Sequence, residues 1–323
     1  MIKLDHDRTI TIAIAISRKD KNLEIIEMAG SKLFERLAQP TYTGETVAEY
    51  RDMSKVMQDD FKDIGGFVGG KLRGGIRKNG SVEYRSVLTL DLDHALLNVW
   101  LTIISYTKCA CCIYSTHKHT AEAPRFRLVI LLSRDVSPDE YMAIAHMVAW
   151  GIGIEQFDDT TYSPSRLMYW GSTSSDGEHV FKYQDGPLLD PDDVLALYPD
   201  WTDSSSWPVS SRVGQERKKS AVKQGNPLEK EGVVGVFCRA YSISEAIETF
   251  LPDVYAPCDN TDDRYTYLDG STSGGLVIYE NDTFAFSHHA TDPCSGRLCN
   301  AFDLVRLHKF GQLDKKVEED ADE

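Results

Sequence analysis

The run Val82–Leu92 (VEYRSVLTLDL) constrains this chain most. It is rich in β-branched, aliphatic and aromatic residues and predicts a buried strand. It closes on Asp91-Leu92-Asp93, and strand alternation puts residues two apart on the same face. Two carboxylates side by side repel unless a cation lies between them. Removing both is therefore expected to hold or raise thermal stability. Hard oxygen ligands at a strand end suit Mg²⁺ or Mn²⁺, with substrate phosphates completing the shell. The plain alternative is a strand-end turn in which both acids are solvated.

Around this strand the pattern alternates between periods. Residues 9–17, 109–114, 126–132 and 167–170 read as strands, and 31–37 and 96–105 as helices. Ser137-Pro138-Asp139-Glu140 is a capping box with proline in the first turn, predicting a helix over 138–150, and Asp190-Pro191 starts another. Strands with intervening helices predict an α/β or α+β fold. Residues 201–230, rich in Ser, Pro and charge, read as a linker between a domain over 1–200 and a smaller one over 231–323. The second is expected to be mostly helical. Asn226 caps a helix reaching about Tyr241, Ser242 caps a second ending near Leu251, a hairpin covers 276–287, and a helix covers 300–310. An acidic tail begins at Asp314.

Lys+Arg 35 against Asp+Glu 50 gives a net charge of −15, which argues against a general nucleic-acid binder. The charge is uneven, however. Residues 62–127 hold ten Lys/Arg and five acids, so that stretch is +5 and the rest −20. Such a basic region fits a polyanionic substrate handled at one place. No run of 18 apolar residues occurs, which excludes a membrane-spanning helix, and the N-terminus lacks an apolar signal region. Seven irregularly spaced cysteines read as reduced thiols in a cytoplasmic compartment.

Further motifs carry chemistry. In Tyr114-Ser115-Thr116-His117-Lys118-His119-Thr120 the two histidines share a strand face, as do Arg125 and Arg127 after them. Histidine and arginine near an acidic pair suit a triphosphate clamp. The same histidines also suggest metal ligands, or the pair of a strand-nicking replication initiator. That nuclease wants a hydrophobic residue between them, and Lys118 is not one. Phe157-Asp158-Asp159, followed by Arg166, offers a third acid for two cations. Gly65-Gly66-Phe67-Val68-Gly69-Gly70-Lys71-Leu72 imitates a phosphate-binding P-loop, but Leu72 stands where Ser or Thr is required. The glycines still suggest close backbone approach to a phosphate or template, with Lys71 and Arg73 nearby. Cys109, Cys111 and Cys112 read as small buried hydrophobes. His288, His289, Cys294 and Cys299 have irregular spacing and no second C-x-x-C, which argues against zinc.

GGFVGGKLRGG, TLDLDH, YSTHKHT, FDDTTYSPSRLMYW and NAFDLVRLHKFG, in this order, resemble the archaeo-eukaryotic primase superfamily. Within it they resemble most closely the N-terminal part of prophage primase-helicases of the virulence-associated-E group, over nearly the whole chain. The resemblance implies an RRM-like primase-polymerase core of α+β class with a helical extension. It implies a cytoplasmic nucleotidyltransferase of phage or mobile-element replication in a bacterial host, acting on nucleoside triphosphates, a single-stranded DNA template and a primer. Asp91, Asp93 and Asp158 or Asp159 would hold two Mg²⁺ or Mn²⁺ ions. His117 or His119, with Arg125, Arg127, Arg166, Lys71 and Arg73, would bind the nucleotide. A helicase, in the same longer chain or in trans, would be the partner. The alternatives are the His-pair nuclease and a non-catalytic DNA-binding module that recruits a helicase.

Overall fold

The structure is a computed structural model that describes residues 1–259, 261–311 and 313. The chain divides into two compact units: Met1–Pro199 with Pro208–Ser210, and Asp200–Trp207 with Ser211–Glu323. The acidic tail expected from Asp314 lies outside the described residues.

The first unit runs β1 (Thr9–Ala15), β2 (Glu24–Ala29), α1 (Gly30–Leu37), β3 (Thr41–Tyr42), α2 (Val47–Asp52), α3 (Lys55–Phe61), β4 (Gly66–Val68) and β5 (Gly70–Leu72). It continues through β6 (Val82–Leu92), α4 (Val99–Thr107), β7 (Cys111–Ser115), β8 (Phe126–Val136), α5 (Pro138–Ile152), β9 (Met168–Tyr169), β10 (Ser172–Thr173), β11 (Phe181–Gln184) and α6 (Pro191–Leu195). One antiparallel sheet has the order β2-β1-β4-β9 and a second the order β11-β7-β8-β6-β5, with a parallel β3–β10 pair beside them. The architecture is α+β.

A shared core joins the two sheets. Leu33, Phe34 and Leu37 of α1 pack with Ile10 and Ile12 of β1, Val87 of β6, and Val129 and Leu131 of β8, all with no solvent exposure. Each contributes about 1.5–3 kcal/mol of transfer free energy. Helix α1 starts at Gly30 because Asp7 caps it from outside: its carboxylate accepts the Ser31 N–H at 3.0 Å and the Ser31 hydroxyl at 2.5 Å. Helix α5 starts where the sequence predicts, with both bonds of the Ser137/Glu140 capping box formed.

The glycine-rich segment has a packing role. It hands the chain from one sheet to the other, with β4 in the first, β5 in the second and Gly69 between them. A side chain at Gly66 would overlap the Met168 carbonyl oxygen, and one at Gly70 the Tyr84 carbonyl oxygen. At these two positions glycine is required because strands run at close range.

The second unit contains α7 (Val213–Gln224), α8 (Gly232–Ala240), α9 (Ile243–Phe250), β12 (Tyr255–Cys258), β13 (Thr261–Tyr267), β14 (Leu276–Tyr279), β15 (Phe284–Ser287), β16 (Leu298–Cys299) and α10 (Ala301–Lys309). Its strands form one antiparallel sheet in sequence order. The pattern showed only its central hairpin, β14–β15. Ile243, Ile247 and Leu251 pack with Leu276, Ala285 and Leu304 beneath it. The helix predicted from Asn226 to about Tyr241 is interrupted. Pro227–Glu229 is a single 3₁₀ turn, and Lys230 and Glu231 are extended before α8 begins. Arg239 Nη1 donates to the Leu228 and Lys230 carbonyls at 2.7 and 3.1 Å, folding that turn back on α8. Among the described residues no helix is long and apolar enough to cross a membrane.

Candidate active site

Strands β6 and β8 are antiparallel, with Asp91 opposite Arg127 and Leu92 opposite Phe126. Period-2 alternation on both strands therefore turns the D-x-D acids and the R-x-R cations to the same face. Asp91 Oδ1 lies 2.8 Å from Arg127 Nε, and Asp93 Oδ1 lies 3.1 Å from Arg125 Nη1. The first pair is nearly buried, with side-chain exposures of 9% and 11%. The repulsion expected between the acids is thus already met by arginine. The expectation that removing both leaves stability unchanged or raised did not include this pair, since removing Asp91 would leave the Arg127 guanidinium buried without its acid.

The third acid arrives from the far end of α5. His94 N–H donates to the Gln156 carbonyl and Asp158 N–H to the Asp91 carbonyl, at 3.1 and 3.0 Å. The Asp91 N–H in turn donates to Thr161 Oγ1 at 2.8 Å. These bonds tie residues 156–161 to the end of β6 and put Asp158 beside Asp91. Arg166 Nη2 stands between them, 2.9 Å from Asp158 Oδ2 and 3.7 Å from Asp91 Oδ2. The loop carrying Arg166 is anchored by the fully buried Arg85, which donates to the Pro164 carbonyl at 2.6 Å. Arg85 also donates to the Gly69 and Val87 carbonyls and to Thr89 Oγ1, and lies 4.0 Å from the centre of the Tyr141 ring. A buried charge without a carboxylate persists only when its donors are satisfied in this way.

The two histidines separate. His117 lines the cleft beside the acids, with Nδ1 2.9 Å from Ser172 Oγ and Nε2 2.9 Å from Glu45 Oε1. Burial holds its basicity below the ordinary value against the opposing pull of Glu45. Burial also pushes the Glu45 carboxyl up. Hydrogen bonds from Thr43, the backbone, His117 and Ser174 outweigh this and keep it below the usual range. His119 instead accepts the Arg125 N–H at Nδ1, at 3.1 Å, and packs its ring 4.8 Å from that of Phe126.

A cleft of about 520 Å³ opens over these groups. Its lining includes Asp91, Asp93, Asp158, His117, Arg125, Arg127 and Arg166, all expected from the sequence, along with Thr116, Tyr169 and Ser172. Arg18, Lys55, Lys62, Arg77 and Lys118 add charge, so eight Lys/Arg face four acids once Asp59 is included. Burial lowers the Lys118 ammonium, and the fields of Lys62 and Arg125 lower it further. Four expected residues do not line the cleft: Lys71, Arg73, His119 and Asp159. Lys71 pairs with Glu83 at 3.0 Å on the sheet edge, and Arg73 is exposed after β5. The sequence reading missed Glu45, Ser172, Arg18 and Lys55, and counted Lys62, Arg77 and Lys118 only toward the basic balance of 62–127. No local motif marks them; only the +5 balance of 62–127 hinted at a basic site.

Residues 1–210 match the family described as the VapE N-terminal domain. The chain belongs to that family. A solved structure, the AEP domain of the cyanophage S-2L primase-polymerase, is similar at 14% identity with a TM-score of 0.33, over 59% of this chain and 89% of that one. No curated protein matches the chain. Every residue lining the cleft lies inside the VapE N-terminal domain, as do Glu45 and the Arg85 anchor.

The VapE N-terminal domain cleft suits a hard divalent ion by its donor set. Asp91 and Asp158 already turn one oxygen each toward a shared cation, the Arg166 guanidinium. Among the described residues the three carboxylates do not close into one cluster, because an arginine stands against each.

Proposed function

We propose that this chain is a template-directed nucleotidyltransferase, a primase-polymerase of phage or mobile-element replication. The observation that carries this reading is the cleft wall, where three carboxylates and three arginines are interleaved next to a buried histidine, ringed by further lysines and arginines. A nuclease built on a histidine pair needs both rings to converge, and His117 and His119 have separate partners. A binding module without chemistry has no use for three acids in a cationic groove.

In this reading Asp91, Asp93 and Asp158 would hold two Mg²⁺ or Mn²⁺ ions, which would supply activation of a primer 3′-hydroxyl and charge neutralisation at the departing pyrophosphate. The chain's own part is an exchange of partners. Arg125, Arg127 and Arg166 are each paired with a carboxylate now, and each turns to a phosphate oxygen of the incoming triphosphate. Planar guanidinium groups recognise carboxylate and phosphate in the same bidentate way, so the exchange preserves their geometry. His117 exchanges the Ser172 hydroxyl at Nδ1 for a phosphate oxygen, with Glu45 behind it at Nε2. Lys55, Lys62, Arg77 and Lys118 carry the template strand by its phosphates. A helicase, joined or separate, supplies that strand.

The test is incorporation of labelled nucleotide on a single-stranded template with Mn²⁺ or Mg²⁺, with and without a primer. Extension or primer synthesis is expected. Absence of both under every metal and nucleotide condition, with the chain folded, overturns the reading.

A further inference from the structure

The second unit brings together a carboxylate oxygen of Asp292, the thiol of Cys294 and a ring nitrogen of His308, all within 4.8 Å of one another. Asp292 and Cys294 lie in the loop between β15 and β16, and His308 lies in the last turn of α10. The Cys299 thiol, on β16, is a neighbour of Cys294 and, with burial, pushes that thiol's pKa up. We propose that Asp292, Cys294 and His308 hold a structural zinc ion, with Cys299, outside that cluster, moving in as the fourth ligand.

The donor set selects the metal. Thiolate and imidazole suit Zn²⁺ and disfavour Mg²⁺ or Mn²⁺, which want oxygen. The geometry is close to what zinc needs. Two ligands at about 2.1 Å from a tetrahedral centre stand roughly 3.4 Å apart, and Asp292 Oδ1 and His308 Nε2 are already 3.3 Å apart. The site is closed to solvent, with side-chain exposures of 0% at Asp292 and 6% at His308. Cys294 and Cys299 are buried.

The surroundings orient the ligands. Tyr255 donates its hydroxyl to Asp292 Oδ2 at 2.7 Å, and the Cys294 N–H donates to Asp292 Oδ1 at 2.7 Å. Outer contacts of this kind fix a ligating carboxylate. Tyr255 Oη is also 2.8 Å from His308 Nε2. Metal binding replaces that contact, the phenol keeps Asp292, and the two thiol protons leave to solvent. The bound ion would pin the β15–β16 loop and the end of α10 to the sheet.

The histidines that the sequence offered for zinc are elsewhere. His289 Nε2 accepts the Tyr267 and Gly275 N–H groups at 3.0 and 3.1 Å, and its Nδ1 is 2.6 Å from Thr272 Oγ1. His288 packs its ring 4.9 Å from that of Phe286. Asp292 and His308, spaced in no familiar motif, take their place. The proposal does not rest on the nucleotide reading, since the site needs no substrate.

The experiment uses the full chain, stripped with a chelator and reloaded with Zn²⁺ or Co²⁺. Elemental analysis is expected to find about one zinc per chain after gel filtration. The cobalt form is expected to show tetrahedral d–d bands and a thiolate charge-transfer band. Cys294→Ser and His308→Asn should each weaken metal binding at least about tenfold, while His288→Ala retains it. No retained zinc in the unaltered chain, unchanged retention in both ligand variants, or a cobalt spectrum lacking the thiolate band overturns the proposal. If the variants fail to fold, the cobalt spectrum of the unaltered chain decides it.

Discussion

Glu45 Oε1 sits 2.9 Å from His117 Nε2, and the other ring nitrogen faces Ser172 on the cleft wall. The carboxylate fixes the ring orientation and favours its protonated form, against a burial effect that disfavours it. On the proposed function, Glu45 is therefore a positioning residue for His117. Glu45→Gln keeps an acceptor for the Nε2–H but removes the charge, so His117 should lose its proton at lower pH. The nucleotide KM of this variant should begin to rise at lower pH than in the unaltered protein, with kcat little changed at acidic pH. Superimposable KM–pH profiles would detach Glu45 from the site.

The Asp91–Arg127 pair leads to a prediction that the sequence had the other way round. Asp91→Ala with Asp93→Ala should abolish incorporation, since no carboxylate remains at the cleft end of β6. It should also cost stability, because Arg127 is left buried without its acid; removing one partner of a buried pair costs about 3–5 kcal/mol. Adding Arg127→Leu to the double variant should restore part of that loss without restoring activity. Chemical denaturation of the three proteins measures this, and an unchanged midpoint in the double variant would show the pair to be energetically silent.

His117 and His119 should part in kinetics as they do in space. A charged hydrogen bond to phosphate contributes about 1.5–3 kcal/mol, so His117→Ala should lower kcat/KM for nucleotide roughly 10–100-fold. His119→Ala loses only an acceptor for the Arg125 N–H and a ring contact with Phe126, and its effect should be several-fold at most. DNA binding without nucleotide should survive both changes, being dominated by lysine and arginine contacts to the backbone. A severe His119→Ala and a mild His117→Ala would reverse the assignment.

What was legible in the sequence depended on short range. D-x-D and R-x-R were readable because alternation is a property of each strand alone, but their pairing came from the β6–β8 register, which no local pattern encodes. The capping boxes of α5 and α9 were readable because all their bonds lie within four residues. Glu45 was not, because its partner is 72 residues away. The packing need for Gly66 and Gly70 was not legible for the same reason: the atoms that require them, the Met168 and Tyr84 carbonyls, belong to other strands. The cluster of Asp292, Cys294 and His308 was not legible either, since the return of α10 to the β15–β16 loop is tertiary.

Buried histidines also make the first unit sensitive to acid. His146 on α5 is buried, with Nδ1 2.7 Å from the Pro208 carbonyl and its ring stacked 3.9 Å from that of Tyr162. Burial lowers its pKa from 6.5 to about 4, partly opposed by the bond to Pro208. His117, His119 and His179 are lowered in the same direction, each chiefly by burial. The folded pKa lies below the unfolded one, so the unfolded chain takes the proton first. The stability linked to His146 is fully present above about pH 6.5 and is lost as pH falls toward 4. At 1.36 kcal/mol per pKa unit, this residue alone accounts for about 3 kcal/mol across that window. Denaturation midpoints measured between pH 7.5 and 4.5 should fall steadily, before most carboxylates titrate. His146→Phe keeps a ring against Tyr162 and has nothing to protonate, so its stability should fall less over the same range, even if it starts lower. Parallel curves for the two proteins would mean that His146 takes up its proton without opening the fold.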